Sequence, residues 1–131
     1  MEKSIIISSK VENLRLIESF LEQVCNEEKI PSEKYGNILI ATLEAANNAI
    51  VHGNKLNEKL NVTIKISSIG NEFKVQLQDS GPGFDYNNVP DPTAPENIEK
   101  LNGRGIFLMK KLSDKINFLN NGTIVELIFQ K

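Results

Sequence analysis

EAANNAIVHGN, residues Glu44 to Asn54, reads as the second half of a helix whose polar residues stand where solvent does not explain them. Taking Leu39 as origin and about 100° per residue, Tyr35, Leu43, Ala46 and Ile50 fall within about 40° of it and form a core-facing stripe. Glu44 and Asn48 fall at roughly 140–180°, on the opposite side. Their neighbours there are Ile40, Ala41, Ala45 and Val51 rather than Lys and Glu. The pattern predicts a second covered face that holds a carboxylate and a carboxamide. Polar groups withdrawn from water need partners, so the identity of the partner decides what this helix is for.

The flanking sequence supplies a frame for that helix. Towards the N-terminus, Ile5, Ile6 and Ile7 within Ser4–Ser8 suggest a short strand, and Ser9 with Glu12 has capping-box spacing. Leu14, Ile17, Leu21 and Val24 recur at helical intervals, with Phe20 widening the stripe. Pro31 and Ser32 start the central helix, and Gly53 and Asn54 stop it. Beyond it, Leu60, Val62, Ile64 and Ile66 alternate with polar residues as a half-buried strand. After a turn at Gly70 and Asn71, Phe73, Val75 and Leu77 alternate again, and the next residue in phase is Asp79. An acid therefore stands on the core-facing side of a strand end, where the period calls for an apolar residue.

From Gly81 to Gly103 the periodicity fails, and Pro82, Pro90, Pro92 and Pro95 all fall in this stretch. Long irregular connections inside compact domains are commonly functional. Order returns with an apolar helix through Ile106, Phe107, Leu108, Met109 and Leu112. Ile116 and Phe118 mark a strand, Asn120 to Gly122 a hairpin turn, and Val125, Leu127 and Phe129 the face of a last strand. The expected fold class is α+β: a two-layer sandwich with a mixed, mostly antiparallel sheet covered by three helices.

Bulk properties narrow the function classes. With 131 residues, 40% hydrophobic and 24% charged, the chain reads as one domain over residues 1–131 with a single core. A net charge of −2 with scattered Lys and Arg gives no nucleic-acid footprint. No apolar run reaches membrane-spanning length, and MEKSIIISSK is too polar for a signal peptide. The expectation is a cytoplasmic protein with neither membrane nor nucleic-acid partners. Cys25 is the one cysteine, which excludes an internal disulfide and a Cys-based zinc site, and its place near the apolar side of a helix suggests a packed thiol.

Three segments carry chemistry unusual for their places. Glu44 and Asn48 share a helix face. Asp79-Ser80-Gly81-Pro82-Gly83-Phe84-Asp85 follows a strand, with glycines that let backbone approach a ligand. Gly103-Arg104-Gly105 opens a helix, whose free N–H groups and dipole suit phosphate. An amide oxygen such as that of Asn48 is a hard ligand that Mg²⁺ accepts when phosphates complete its shell. A buried carboxylate at a strand end can accept a hydrogen bond from an exocyclic amine. Together these groups describe a site for a magnesium nucleotide.

On these segments the chain resembles the GHKL (Bergerat-fold) ATPase superfamily. EAANNA is similar to its N-box, DSGPGF to its G1 box, GRGIFLM to the G2 box of its small bacterial branch, and NGTIVEL, with Thr123, to the start of its final strand. The matches run in family order from Glu44 to Leu127. The short length, His52-Gly53 after the N-box and the GRG-x-FLM form most resemble the anti-sigma-factor serine kinases of bacterial partner-switching systems.

The resemblance implies ATP and Mg²⁺ as cofactors. Asn48 would hold Mg²⁺, Glu44 would be the general base, Asp79 would accept from the adenine amine, and Thr123 would support it. Gly81 and Gly83 would let backbone pass beside the nucleotide. Gly103, Arg104 and Gly105 would meet the phosphates, and a segment at about 86–102 would serve as the ATP lid. That segment has no basic residue between Tyr86 and Glu99, so Lys100 and Arg104 are the nearby cations. His52 is expected as a structural or phosphate-side residue rather than a phosphoacceptor.

The implied function is an ATP-dependent protein serine/threonine kinase that phosphorylates an anti-anti-sigma (antagonist) protein and sequesters a sigma factor, with a homodimer as a family expectation. The alternative is a nucleotide-gated protein-interaction module without kinase turnover, in which ATP shifts a conformational population.

Overall fold

The computed structural model describes residues 1–81 and 101–131, and of residues 101–104 the backbone alone. Among the described residues five strands form one sheet: β1 (Glu2–Ser8), β2 (Asn61–Ile69), β3 (Glu72–Gln78), β4 (Lys115–Leu119) and β5 (Ile124–Gln130). Their order is β1-β2-β3-β5-β4. Every neighbouring pair is antiparallel. The two-layer α+β architecture matches the expectation, and no parallel pair occurs among the described strands. Among the described residues three α-helices accompany the sheet: α1 (Leu14–Glu27), α2 (Ser32–Asn48) and α3 (Leu101–Leu112).

The strand alternation sorts one face to the core. In register across all five strands run Ile5, Ile64, Leu77, Val125 and Phe118. Val62, Ile64, Ile66, Phe73, Val75 and Leu127 beside them are fully buried. The opposite face carries a row of Ile6, Thr63, Gln78, Ile124 and Leu119, of which Ile6 is 65% exposed. A one-sided antiparallel sheet shows this division of apolar and polar residues. Ile17, Leu21, Val24 and the free thiol of Cys25 turn from α1 into the same core. Burial pushes the Cys25 thiol up to about 11, as befits the packed cysteine expected there.

Two local expectations require correction. The first is the buried stripe of α2. Ala46 and Ile50 of the expected stripe are fully buried, but the other buried residues of α2 are Ile38, Ala41, Thr42 and Ala45, whereas Tyr35, Leu39 and Leu43 are only partly buried. The stripe is turned by roughly 90° from the Leu39 direction. Its small residues allow α3 to approach on the Ala45 flank. The second cover exists, then, but it is narrower than expected, and Ile40 is 47% exposed.

The second correction concerns Ser9 and Glu12. Residues Val11–Asn13 form a 3₁₀ turn without a side-chain cap. The Ser9 hydroxyl donates instead to the Leu60 carbonyl at 2.8 Å and accepts from Asn54 at 2.9 Å. A long-range network has taken the capping group.

Candidate functional site

α2 does not stop cleanly after Asn48. The chain continues through one π-helical turn, Ala49–Gly53, in which the Asn54 amide reaches the Ala49 carbonyl at 2.8 Å. Such turns widen a helix by one residue and often mark functional sites. Here the turn carries His52 and Gly53 over the exit of β3, and His52 is exposed.

The end of β3 is held by three consecutive amides. Asp79 N–H donates to the Thr123 carbonyl at 2.9 Å, which joins β3 to the start of β5. Ser80 N–H donates to Asn54 Oδ1 at 2.8 Å, and Gly81 N–H donates to Asp79 Oδ1 at 2.8 Å. Asp79 is half-buried, and burial raises its carboxyl pKa above the ordinary value while the Gly81 amide partly opposes the shift. Oδ2 has no donor among the described residues and lies against Gly53. A Cβ at Gly53 would stand 2.4 Å from it. A Cβ at Gly81 would stand 1.9 Å from the Gly53 carbonyl oxygen, so two backbones cross here and both positions require glycine.

Thr123 follows a turn in which Asn120, Asn121 and Gly122 all have positive φ, of 52°, 58° and 86°. Asparagine and glycine tolerate that region best. The buried Thr123 hydroxyl donates to the Asn120 carbonyl at 2.8 Å.

Between these elements lies a mostly apolar cleft. Leu77, Val125, Ile106, Met109 and Phe118 form its walls, while Asn48, His52, Asp79 and Thr123 supply the polar side chains. An apolar cleft with one carboxylate in its lining suits an aromatic base that bears an amine. Glu44 is not among the lining residues. It stands one turn before Asn48, and both face Gly105 on α3: a Cβ there would lie 3.0 Å from Glu44 Oε2 and 3.3 Å from Asn48 Nδ2. No described residue hydrogen-bonds either side chain.

The structure thus brings Asn48, Asp79 and Thr123 to one cleft, ties Gly81 to Asp79 through its amide, and sets Glu44 with Gly105 beside the cleft-lining Asn48. Gly83 and the lid segment up to residue 100 lie outside the described residues, as does the Arg104 side chain. Gly103 to Gly105 lie within α3, which is already helical at Leu101, rather than opening the helix. Residues 101 and 102, expected in the lid, already belong to α3. The sequence reading missed Asn54 as a site residue. Its place after the helix suggested only a stop signal, and nothing local distinguishes a stop from a buried strut.

Residues 7–129 match the family model described as the histidine kinase-like ATPase domain. The chain belongs to the histidine kinase-like ATPase family. Among curated proteins it is similar to the serine-protein kinase RsbW of Oceanobacillus iheyensis, 27% identical over 95% of this chain and 82% of that protein. It is similar also to the serine-protein kinases RsbW of Bacillus cereus and Bacillus anthracis, each 26% identical over 88% of this chain and 75% of theirs. A histidine kinase-like ATPase domain implies ATP binding. Among the described residues, no helix is long and apolar enough to cross a membrane.

Proposed function

We propose that this chain is an ATP-dependent protein serine/threonine kinase of the anti-sigma-factor type, which phosphorylates an anti-anti-sigma antagonist protein and binds a sigma factor. The observation that carries the reading is Glu44: a carboxylate one helical turn before the cleft-lining Asn48, beside Gly105, with no hydrogen-bond partner among the described residues. A module that only bound nucleotide would have no use for a base there. The named relatives support the same chemistry, being serine-protein kinases.

The residues present fit ATP and Mg²⁺. Among the described residues no cluster of three His, Cys, Asp or Glu could cage a metal. A lone Asn48 oxygen beside a helix start suits Mg²⁺, which keeps water and phosphate oxygens in its shell. When bound, the ion would neutralise charge on the phosphates. Asp79 would accept from the adenine amine through Oδ2, while Gly81 holds Oδ1 in place. Thr123 keeps Asp79 beside β5. The first-turn amides of α3 would face phosphate. Glu44 would orient the acceptor serine hydroxyl and take its proton, and phosphoryl transfer is otherwise positioning and charge stabilisation.

The test is phosphate transfer from labelled ATP to a purified anti-anti-sigma protein, with Glu44→Gln beside the native chain. The expected outcome is that the variant keeps its ATP affinity and loses transfer by roughly 10²-fold or more. Unchanged transfer would refute the role of Glu44. Nucleotide-dependent partner binding without transfer in the native chain would move the reading to the interaction module.

A further inference from the structure

Asn54 is 2% exposed, and it joins three separate segments. Its Nδ2 donates to Ser9 Oγ at 2.9 Å and to the Asn61 carbonyl at 3.0 Å. Its Oδ1 accepts the Ser80 amide at 2.8 Å. The side chain is thereby saturated in its donors and bound to the one backbone group between Asp79 and Gly81 that nothing else holds. The two flanking amides are fixed differently, Asp79 to Thr123 and Gly81 to the Asp79 carboxylate itself. Removing the middle contact frees the Asp79–Ser80 peptide to rotate, and with it the amide that pins Oδ1. Gly53, next in sequence, bounds the other carboxylate oxygen.

We infer that Asn54 is a positioning residue for base recognition: through the Ser80 amide it sets the direction in which Asp79 presents its free oxygen to the exocyclic amine of a nucleotide base. This rests on the ATP reading above. A side chain that merely joined β1, β2 and the helix end would affect stability and treat all nucleotides alike. A positioning residue instead affects discrimination at the amine. Inosine triphosphate tests the difference, because it carries a carbonyl where adenine carries the amine.

The experiment measures the dissociation constants of ATP and inosine triphosphate for four chains, each well below its melting temperature. The native chain should prefer ATP by roughly tenfold or more, the worth of one aimed hydrogen bond in a desolvated site. Asn54→Ala should lose most of that preference, through weaker ATP binding and little change for inosine triphosphate. Ser9→Ala loosens the same network away from Ser80 and should keep the preference at reduced stability. Asn54→Asp retains an oxygen for the Ser80 amide while surrendering both donors, and it should also keep the preference; it carries the test if the alanine variant does not fold. Native discrimination that survives in Asn54→Ala, or that Asn54→Asp loses, overturns the inference alone. A native chain that binds neither nucleotide overturns the ATP reading and this inference with it.

Discussion

Asp79 illustrates how one side chain can oppose stability in order to bind. Its carboxyl pKa is raised by burial, with partial relief from the Gly81 amide. Between the ordinary and the raised pKa the folded chain holds more protons than the unfolded chain. Stability therefore falls as pH rises through that window, and the full penalty is present above it. Asp79→Asn should accordingly melt higher than the native chain at pH 7, with the difference closing as pH falls into the ordinary carboxylate range. The same variant should bind ATP about tenfold more weakly or worse, since an amide presents one acceptor where the carboxylate has two. Thermal melts across pH together with ATP titrations check both halves. A melting temperature below native at neutral pH would show that the carboxylate contributes to the fold rather than opposing it.

At the scale of elements, α2 depends on small residues along the flank that meets α3. Two glycines separate packing from propensity. Gly36 has open space where a Cβ would stand, so Gly36→Ala should stabilise the chain by about 0.5–1 kcal/mol, through helix propensity alone, and leave ATP affinity unchanged. Gly105→Ala would bring a methyl to 3.0 Å from Glu44 Oε2. That oxygen ends a side chain that can yield, so stability should stay within about 1 kcal/mol of native, while the shifted base lowers phosphate transfer. Denaturant melts and transfer rates on the two variants give the comparison. A Gly105→Ala chain with native transfer would show that the approach of α3 to Glu44 is packing only.

In the molecule as a whole, the core is the helix-facing side of the sheet. Phe73 lies fully buried on β3, paired with Phe129 across the sheet. Phe73→Ala should cost about 3–5 kcal/mol, a large share of the roughly 5–15 kcal/mol that holds a typical domain together. Its midpoint in urea should fall without a change of slope, and ATP affinity measured on the folded fraction should persist, because the residue stands away from the cleft. A midpoint near native would mean that the core closes over the loss. The exposed salt bridges Lys65–Glu2 at 3.1 Å and Lys10–Glu58 at 3.8 Å lie in water and add little to this balance.

The strands and their inward faces were legible because a period of two needs only nearest neighbours, and Asp79 announced itself by breaking that period. The pair Glu44 and Asn48 was legible for a similar reason, as polar residues among apolar ones at helical spacing. Several features were decided by the tertiary structure: the roughly 90° turn of the α2 stripe, the diversion of Ser9 from a helix cap to a buried network, the π-helical turn and the role of Asn54. Each depends on partners far away in the chain, such as Ser9 and Asn54, 45 residues apart. A local pattern records what a residue prefers, but it carries no record of which distant group will arrive to satisfy it. Where backbone groups and small side chains meet across the fold, the arriving partner sets the geometry.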